Sequence, residues 1–195
     1  MNTMKSYLVS FGFLTAALVF APTTACLGDQ MSHKPVELLN STLLHVMQNA
    51  DSLGYEGRWN KLAPVLSEIY DLPYVSRIVL GKGWESLDQS QRNEMVDTFT
   101  DLIVTTYAAR FKGYSGQIFS IASDAELKRG RMLVRTKLTG PEKVVSLDYI
   151  LHKDATGQWR VINVVANGVS DISVKRAEYS ALLERSGFPA LMGRL

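Results

Sequence analysis

Apolar positions recur at helical spacing from residue 35 onward. Val36, Leu39, Leu43, Val46, Met47 and Leu53 form the first stripe. Pro35 reads as the start of this helix, because the first turn leaves an amide unbonded and proline has none to leave. The segment Gly54-Tyr55-Glu56-Gly57 breaks the pattern. A second helical stretch runs from about Arg58 to Asp71, with Leu62, Val65, Leu66 and Ile69 on one side and Pro64 inside, which predicts a kink or a late start. Pro73 stops it, and a short helix follows from Pro73 to Leu80, ended by Gly81. The clearest helix comes next. Asp88 is a good N-cap, and Gln91 three residues on completes a capping box. Met95, Phe99, Leu102, Ile103, Tyr107 and Phe111 then form a broad apolar stripe that ends near Gly113.

After Gly116 the period changes to two. The stretches 117–123, 132–139, 144–152 and 159–166 alternate and are rich in β-branched and aromatic residues. Hairpin-like turns join them: Lys128-Arg129-Gly130, Gly140-Pro141-Glu142 and Asp154-Ala155-Thr156-Gly157. In the third strand Val145, Leu147, Tyr149 and Leu151 face one way, while Ser146, Asp148 and His152 face the other. A sheet of this kind has one dry face that helices must cover. The long helix before it and a helix over Ser173–Arg185 after it supply the cover. The predicted class is α+β: a helical N-terminal half, a four-stranded curved antiparallel sheet with helices on one face around an apolar pocket, and a C-terminal helix.

Composition narrows the function. At 195 residues, 46% apolar and 21% charged, the chain has the make-up of one globular domain. Its net charge of +2 gives no polybasic footprint for nucleic acid. One cysteine excludes an internal disulfide framework and any multi-cysteine metal site. The first 25 residues have the parts of a secretory signal peptide: Lys5, an uncharged apolar run from Tyr7 to Phe20, then small residues ending at Ala25. Cys26 follows the expected cut directly, the position of a lipid anchor, although the usual Leu three places before it is missing. Residues 26–34 read as a flexible leader, and 35–190 as the folded domain.

Signatures of catalysis are sparse. His33, His45 and His152 make no metal-binding spacing, so no metal site or cofactor is expected. Gly81-Lys82-Gly83 falls short of a phosphate-binding loop, and no nucleophile elbow occurs. Asn40-Ser41-Thr42 fits a glycosylation triplet but lies in an apolar-striped helix. A cone-shaped pocket enzyme would need an inward carboxylate. Asp148, the acidic residue within a strand interior, points by alternation to the wet face.

The segment Tyr70-Asp-Leu-Pro-Tyr-Val-Ser-Arg-Ile-Val-Leu-Gly81, then Trp84, Leu87, Gln91-Arg92, Phe99, Leu102 and Thr106-Tyr107-Ala108, resembles the MlaC (toluene-tolerance) family. Met95 stands where that family often has Phe. The stretch Tyr149–Val165, the phrase Asn167-Gly168-Val169-Ser170 and the helix Arg176–Gly187 extend the resemblance over about residues 35–190. It implies a periplasmic carrier, not an enzyme. Such a carrier takes phospholipid between an outer-membrane lipoprotein complex and an inner-membrane ABC transporter complex, and so maintains outer-membrane lipid asymmetry. Tyr70-Asp-Leu-Pro-Tyr and Arg110-Phe-Lys-Gly-Tyr-Ser-Gly116 resemble the branch associated with hopanoid-lipid biosynthesis, which makes a hopanoid the alternative cargo.

A carrier needs a dry sleeve rather than a catalytic group, because each methylene sheltered from water contributes about 0.8 kcal/mol. The candidate lipid-binding residues are Val79, Leu80, Phe99, Leu102, Ile103, Tyr107, Phe119, Ile121, Met132, Val134, Val145, Leu147, Tyr149, Val161 and Val165. In sequence, residues that line a cavity and residues that fill a core look alike. Arg77, Lys82 and Arg110 are candidate mouth or partner contacts. The alternatives are a pocket enzyme using Asp148 and a periplasmic interaction module whose apolar groove accepts a peptide or helix.

Overall fold

Five strands in sequential order form one antiparallel sheet: β1 (Ile118–Leu127), β2 (Arg131–Thr139), β3 (Val144–Lys153), β4 (Trp159–Ala166) and the two-residue β5 (Val169–Ser170). The structure, a computed structural model, describes residues 27–195. The expected signal peptide and Cys26 lie outside the described residues. Helices α1 (Leu27–Gln48), α2 (Ala50–Ile69), α3 (Leu72–Leu80) and α4 (Gln89–Arg110) precede the sheet, with a 3-10 turn over Gly81–Ser86, and α5 (Asp171–Met192) follows it. The α+β class and the one-sided cover of helices are as the sequence predicts.

Several boundaries differ for physical reasons. The first helix begins at Leu27, within the stretch read as a flexible leader. Pro35 therefore lies inside α1 rather than at its start. The cost of its missing amide is offset by tertiary contact: Ser32 is buried, and His33 Nε2 stands 3.2 Å from the carboxylate of Asp124 in β1. The expected four-residue break narrows to Gly54, whose φ of 60° and ψ of −170° suit glycine alone. The last helix reaches Met192 rather than Arg185, with one non-helical residue at Gly187. The fifth strand was not expected. Its two residues pair with Val165 and Ala166, too short a match to leave a period in the sequence.

The capping box is present as predicted. Gln91 N donates to Asp88 Oδ1 at 2.9 Å, and Asp88 N donates to Gln91 Oε1 at 3.1 Å. The core lies between the helices and the inner face of the sheet. Val36, Leu39 and Leu43 of α1, Leu62 and Leu66 of α2, Phe99 of α4 and Val134, Leu151 and Val161 of the sheet are essentially solvent-free. One cation is buried with them. Arg58 Nε donates to the carbonyl of Ala108 at 3.0 Å, and Nη1 donates to that of Ala50 at 3.1 Å. Ala108 belongs to the last turn of α4, where carbonyls lack intrahelical partners and carry the negative end of the helix dipole. Arg58 thus ties α2 to the end of α4.

Two β-bulges shape the sheet, one in β1 between Ile121 and Ser123, the other in β4 opposite Ile150 and Leu151. A bulge adds a residue and increases local twist, which gives the sheet its curvature. The turn before β4 is organised by Asp154. Its Oδ1 accepts from Thr156 Oγ1, Thr156 N and Gln158 N, and its Oδ2 from Arg160 Nε. The Thr156 hydroxyl and the Arg160 guanidinium hold this carboxyl well below the usual carboxylate range.

Two outcomes follow. Arg58→Ala strands two buried carbonyls and should lower stability by about 2–3 kcal/mol in urea unfolding; a loss under about 0.5 kcal/mol would refute the tie. The folded-state pKa of Asp154 lies below its unfolded value, so its contribution is full above that unfolded value and is lost as pH falls through the folded one. The stability gap between wild type and Asp154→Asn should be constant from about pH 7 to 5 and should narrow below about pH 4 in thermal melts.

Candidate functional site

Tyr70 and Asp71 form the two-residue junction between α2 and α3, and the sheet holds that junction in place. Tyr70 leaves the helix in an extended conformation and bridges to Val161, and Asp71 N donates to the Val161 carbonyl at 3.1 Å. Asp71 caps α3 by accepting from Tyr74 N. Its other oxygen lies 2.8 Å from His152 Nε2 on β3, and the His152 ring packs against Tyr74 with centroids 4.5 Å apart. This clasp turns the Tyr70 side chain toward the space between the sheet and α4.

That space is not filled. A cavity of about 810 Å³ opens between the C-terminal half of α4, the inner face of β2–β4 and the start of α5. It is near the upper end for small-molecule pockets. Met47, Val75, Phe99 and Ile103 form its dry end. Leu138, Val145, Leu147, Val164 and Ala166 form the sheet wall. The mouth carries Arg110, Lys143 and Lys175 beside Glu142 and Asp171, with Lys175 Nζ 3.4 Å from Asp171 Oδ1. Val169 and Val174 line the same mouth and are exposed.

Three tyrosines interrupt the apolar wall. The hydroxyls of Tyr70 and Tyr107 are 2.7 Å apart, and Tyr149 stands close to both, buried in the wall. Burial pushes the phenols of Tyr70 and Tyr149 well above their ordinary value. It pushes Tyr107 up to about 12, against the Tyr70 hydrogen bond, which works the other way. All three are therefore protonated hydrogen-bond donors at neutral pH.

Of the fifteen candidate lining residues, Phe99, Ile103, Tyr107, Val145, Leu147 and Tyr149 line the cavity. The other nine do not. Val79 and Leu80 are fully buried in packed core on α3. Met132, Val134 and Val161 are on the inner face but buried in the core. Leu102, Phe119 and Ile121 are partly buried against the same core. Val165 pairs with Asp148, on the outer face. Strict alternation would put Val161 and Val165 on one face; the bulge at Ile162 shifts the register, so Val164 and Ala166 turn inward instead. Arg110 is at the mouth, whereas Arg77 is exposed beside Glu85 and Lys82 lies outside the cavity lining. Asp148 sits opposite Arg135 and Val165, away from the cavity.

Sequence reasoning missed Tyr70, Val75, Val164, Ile172, Val174 and Lys175. The spacing Asp171, Ile172, Val174, Lys175 is that of one helix face and was available as a signal. For Val164 no local signal existed, because the bulge is a property of strand pairing.

A solved phospholipid-binding protein from Ralstonia solanacearum, in complex with a phospholipid, superposes with a TM-score of 0.73 at 17% identity, covering 84% of this chain and 93% of that one. The likeness shows a shared fold. The intermembrane phospholipid transport system binding protein MlaC of Haemophilus influenzae is 27% identical over 140 residues, 70% of this chain. The match spans 64% of that relative's length. The MlaC protein family matches residues 37–195, and the chain belongs to that family.

Proposed function

We propose that the protein is a non-enzymatic carrier that shelters the acyl tails of a phospholipid in its cavity and moves the lipid between membranes. The observation that carries this reading is the cavity itself: a space of about 810 Å³ with an apolar end at Met47, Val75 and Phe99 and a mouth where Arg110, Lys143 and Lys175 stand beside Glu142 and Asp171. A lipid tail of some fifteen methylenes gains on the order of 12 kcal/mol from such shelter. The names of the Haemophilus relative and the Ralstonia structural neighbour support phospholipid as the cargo class. In this reading the first 25 residues direct export to the periplasm. There the carrier passes lipid between an inner-membrane ABC transporter complex and an outer-membrane lipoprotein complex. A hopanoid is the alternative cargo, supported by the words Tyr70–Tyr74 and Arg110–Gly116.

The pocket-enzyme reading loses its intended residue. Asp148 stands on the outer face, and the carboxylates that do reach the cavity, Glu142 and Asp171, are exposed at its mouth. Neither is desolvated as a proton-abstracting base in an apolar pocket would be.

Protein expressed to the periplasm and purified without detergent should release near-stoichiometric lipid on solvent extraction, read by mass spectrometry. Lipid-free protein that also fails to take up added phospholipid would overturn the carrier reading. Val164→Trp places an indole in the unfilled space. It should reduce phospholipid uptake at least tenfold while changing stability by less than about 1 kcal/mol, since the site is not a packed core.

A further inference from the structure

The tyrosines leave hydrogen-bond protons unaccounted for. Two hydroxyls 2.7 Å apart hold two protons, and the bond between them uses one. The other has no acceptor among the described residues, and neither has the hydroxyl of Tyr149, a residue 1% exposed in the cavity wall. The residues that carry these donors line the cavity, so the acceptor for them comes from whatever occupies it.

α4 sets the order of what enters. Phe99, Ile103, Tyr107 and Arg110 all line the cavity. At 1.5 Å per residue, Tyr107 lies about 6 Å nearer the mouth than Ile103, and Arg110 about 4.5 Å nearer again. From inside outward the wall is therefore apolar, then a neutral donor, then a cation. A glycerophospholipid entering tails first has the same order: hydrocarbon, ester carbonyls, phosphate. The middle group is neutral, because burial keeps the phenols of Tyr70 and Tyr107 protonated. We propose that Tyr107 and Tyr149, with Tyr70 behind Tyr107, donate to the acyl ester carbonyls of the bound lipid, so that the cavity selects ester-linked over ether-linked cargo. The inference rests on the carrier reading and adds a linkage-reading site to it.

The test compares two phosphatidylglycerols with the same head group and chain lengths, one with ester-linked chains and one with ether-linked chains, by titration into delipidated full-length mature protein. Wild type should bind the diester about tenfold tighter, the worth of one to two hydrogen bonds. The double variant Tyr107→Phe/Tyr149→Phe should bind both lipids alike. Its circular dichroism spectrum and cooperative thermal melt serve as the control for folding. Equal binding of the two lipids by wild type, or a preference that survives in the double variant, overturns the proposal and leaves the carrier intact. Failure of wild type to bind either lipid overturns the phospholipid-carrier reading and the proposal with it.

Discussion

The apolar inner face of a curved sheet must be covered, and most of the structure follows from how the helices meet that demand. Under α1 and α2 the cover is complete: Leu39, Leu43, Leu62 and Leu66 pack without solvent. Toward the end of α4 the cover is incomplete, and a cavity separates the helix from the sheet. Arg58 holds α2 to the last turn of α4, and the Asp71–His152 pair holds the α2–α3 junction to β3. The helices are fixed by polar anchors at both points, so the space between them cannot collapse cheaply.

Polar groups around the cavity have two different roles. Arg58 and Asp71 are satisfied by partners within the protein and fix the frame. The tyrosine cluster is incompletely satisfied and faces the cavity. A protein that only needed a dry sleeve would fill those positions with phenylalanine, which has nearly the same shape and no proton to place. Three phenols at the level between the dry end and the cationic mouth are a reason to regard the cavity as graded rather than uniform.

The family resemblance covers the chain in an ordered set of short motifs, several of which are now seen as structural devices. Asp71 of the Tyr70–Gly81 segment is a helix cap and the partner of His152, and Gln91 closes a capping box. Asn167 donates and accepts at the β4–β5 corner, with Ser146 N donating to its side chain at 3.0 Å. Motif residues of this kind report how the fold is held, whereas others, Tyr70, Phe99, Tyr107 and Tyr149 among them, line the cavity.

The sequence by itself determined the elements whose signals are local. The capping box at Asp88, the stripe on α4, the stop at Gly81 and the alternation in β2 and β3 each rest on neighbours within a few residues, and each is found in place. The α+β class follows from them, because a half-dry sheet has to be covered. Tertiary structure alone decided the rest. The helical turns before Pro35 depend on contact with a strand some ninety residues away. The inward turn of Val164 in place of Val165 depends on an extra residue in β4 relative to β3. Whether Val134 packs a core or Leu147 walls a cavity depends on where helices anchored elsewhere leave room. Hydrophobicity states only that a side chain must leave water; the geometry of its neighbours decides whether protein or a ligand takes water's place.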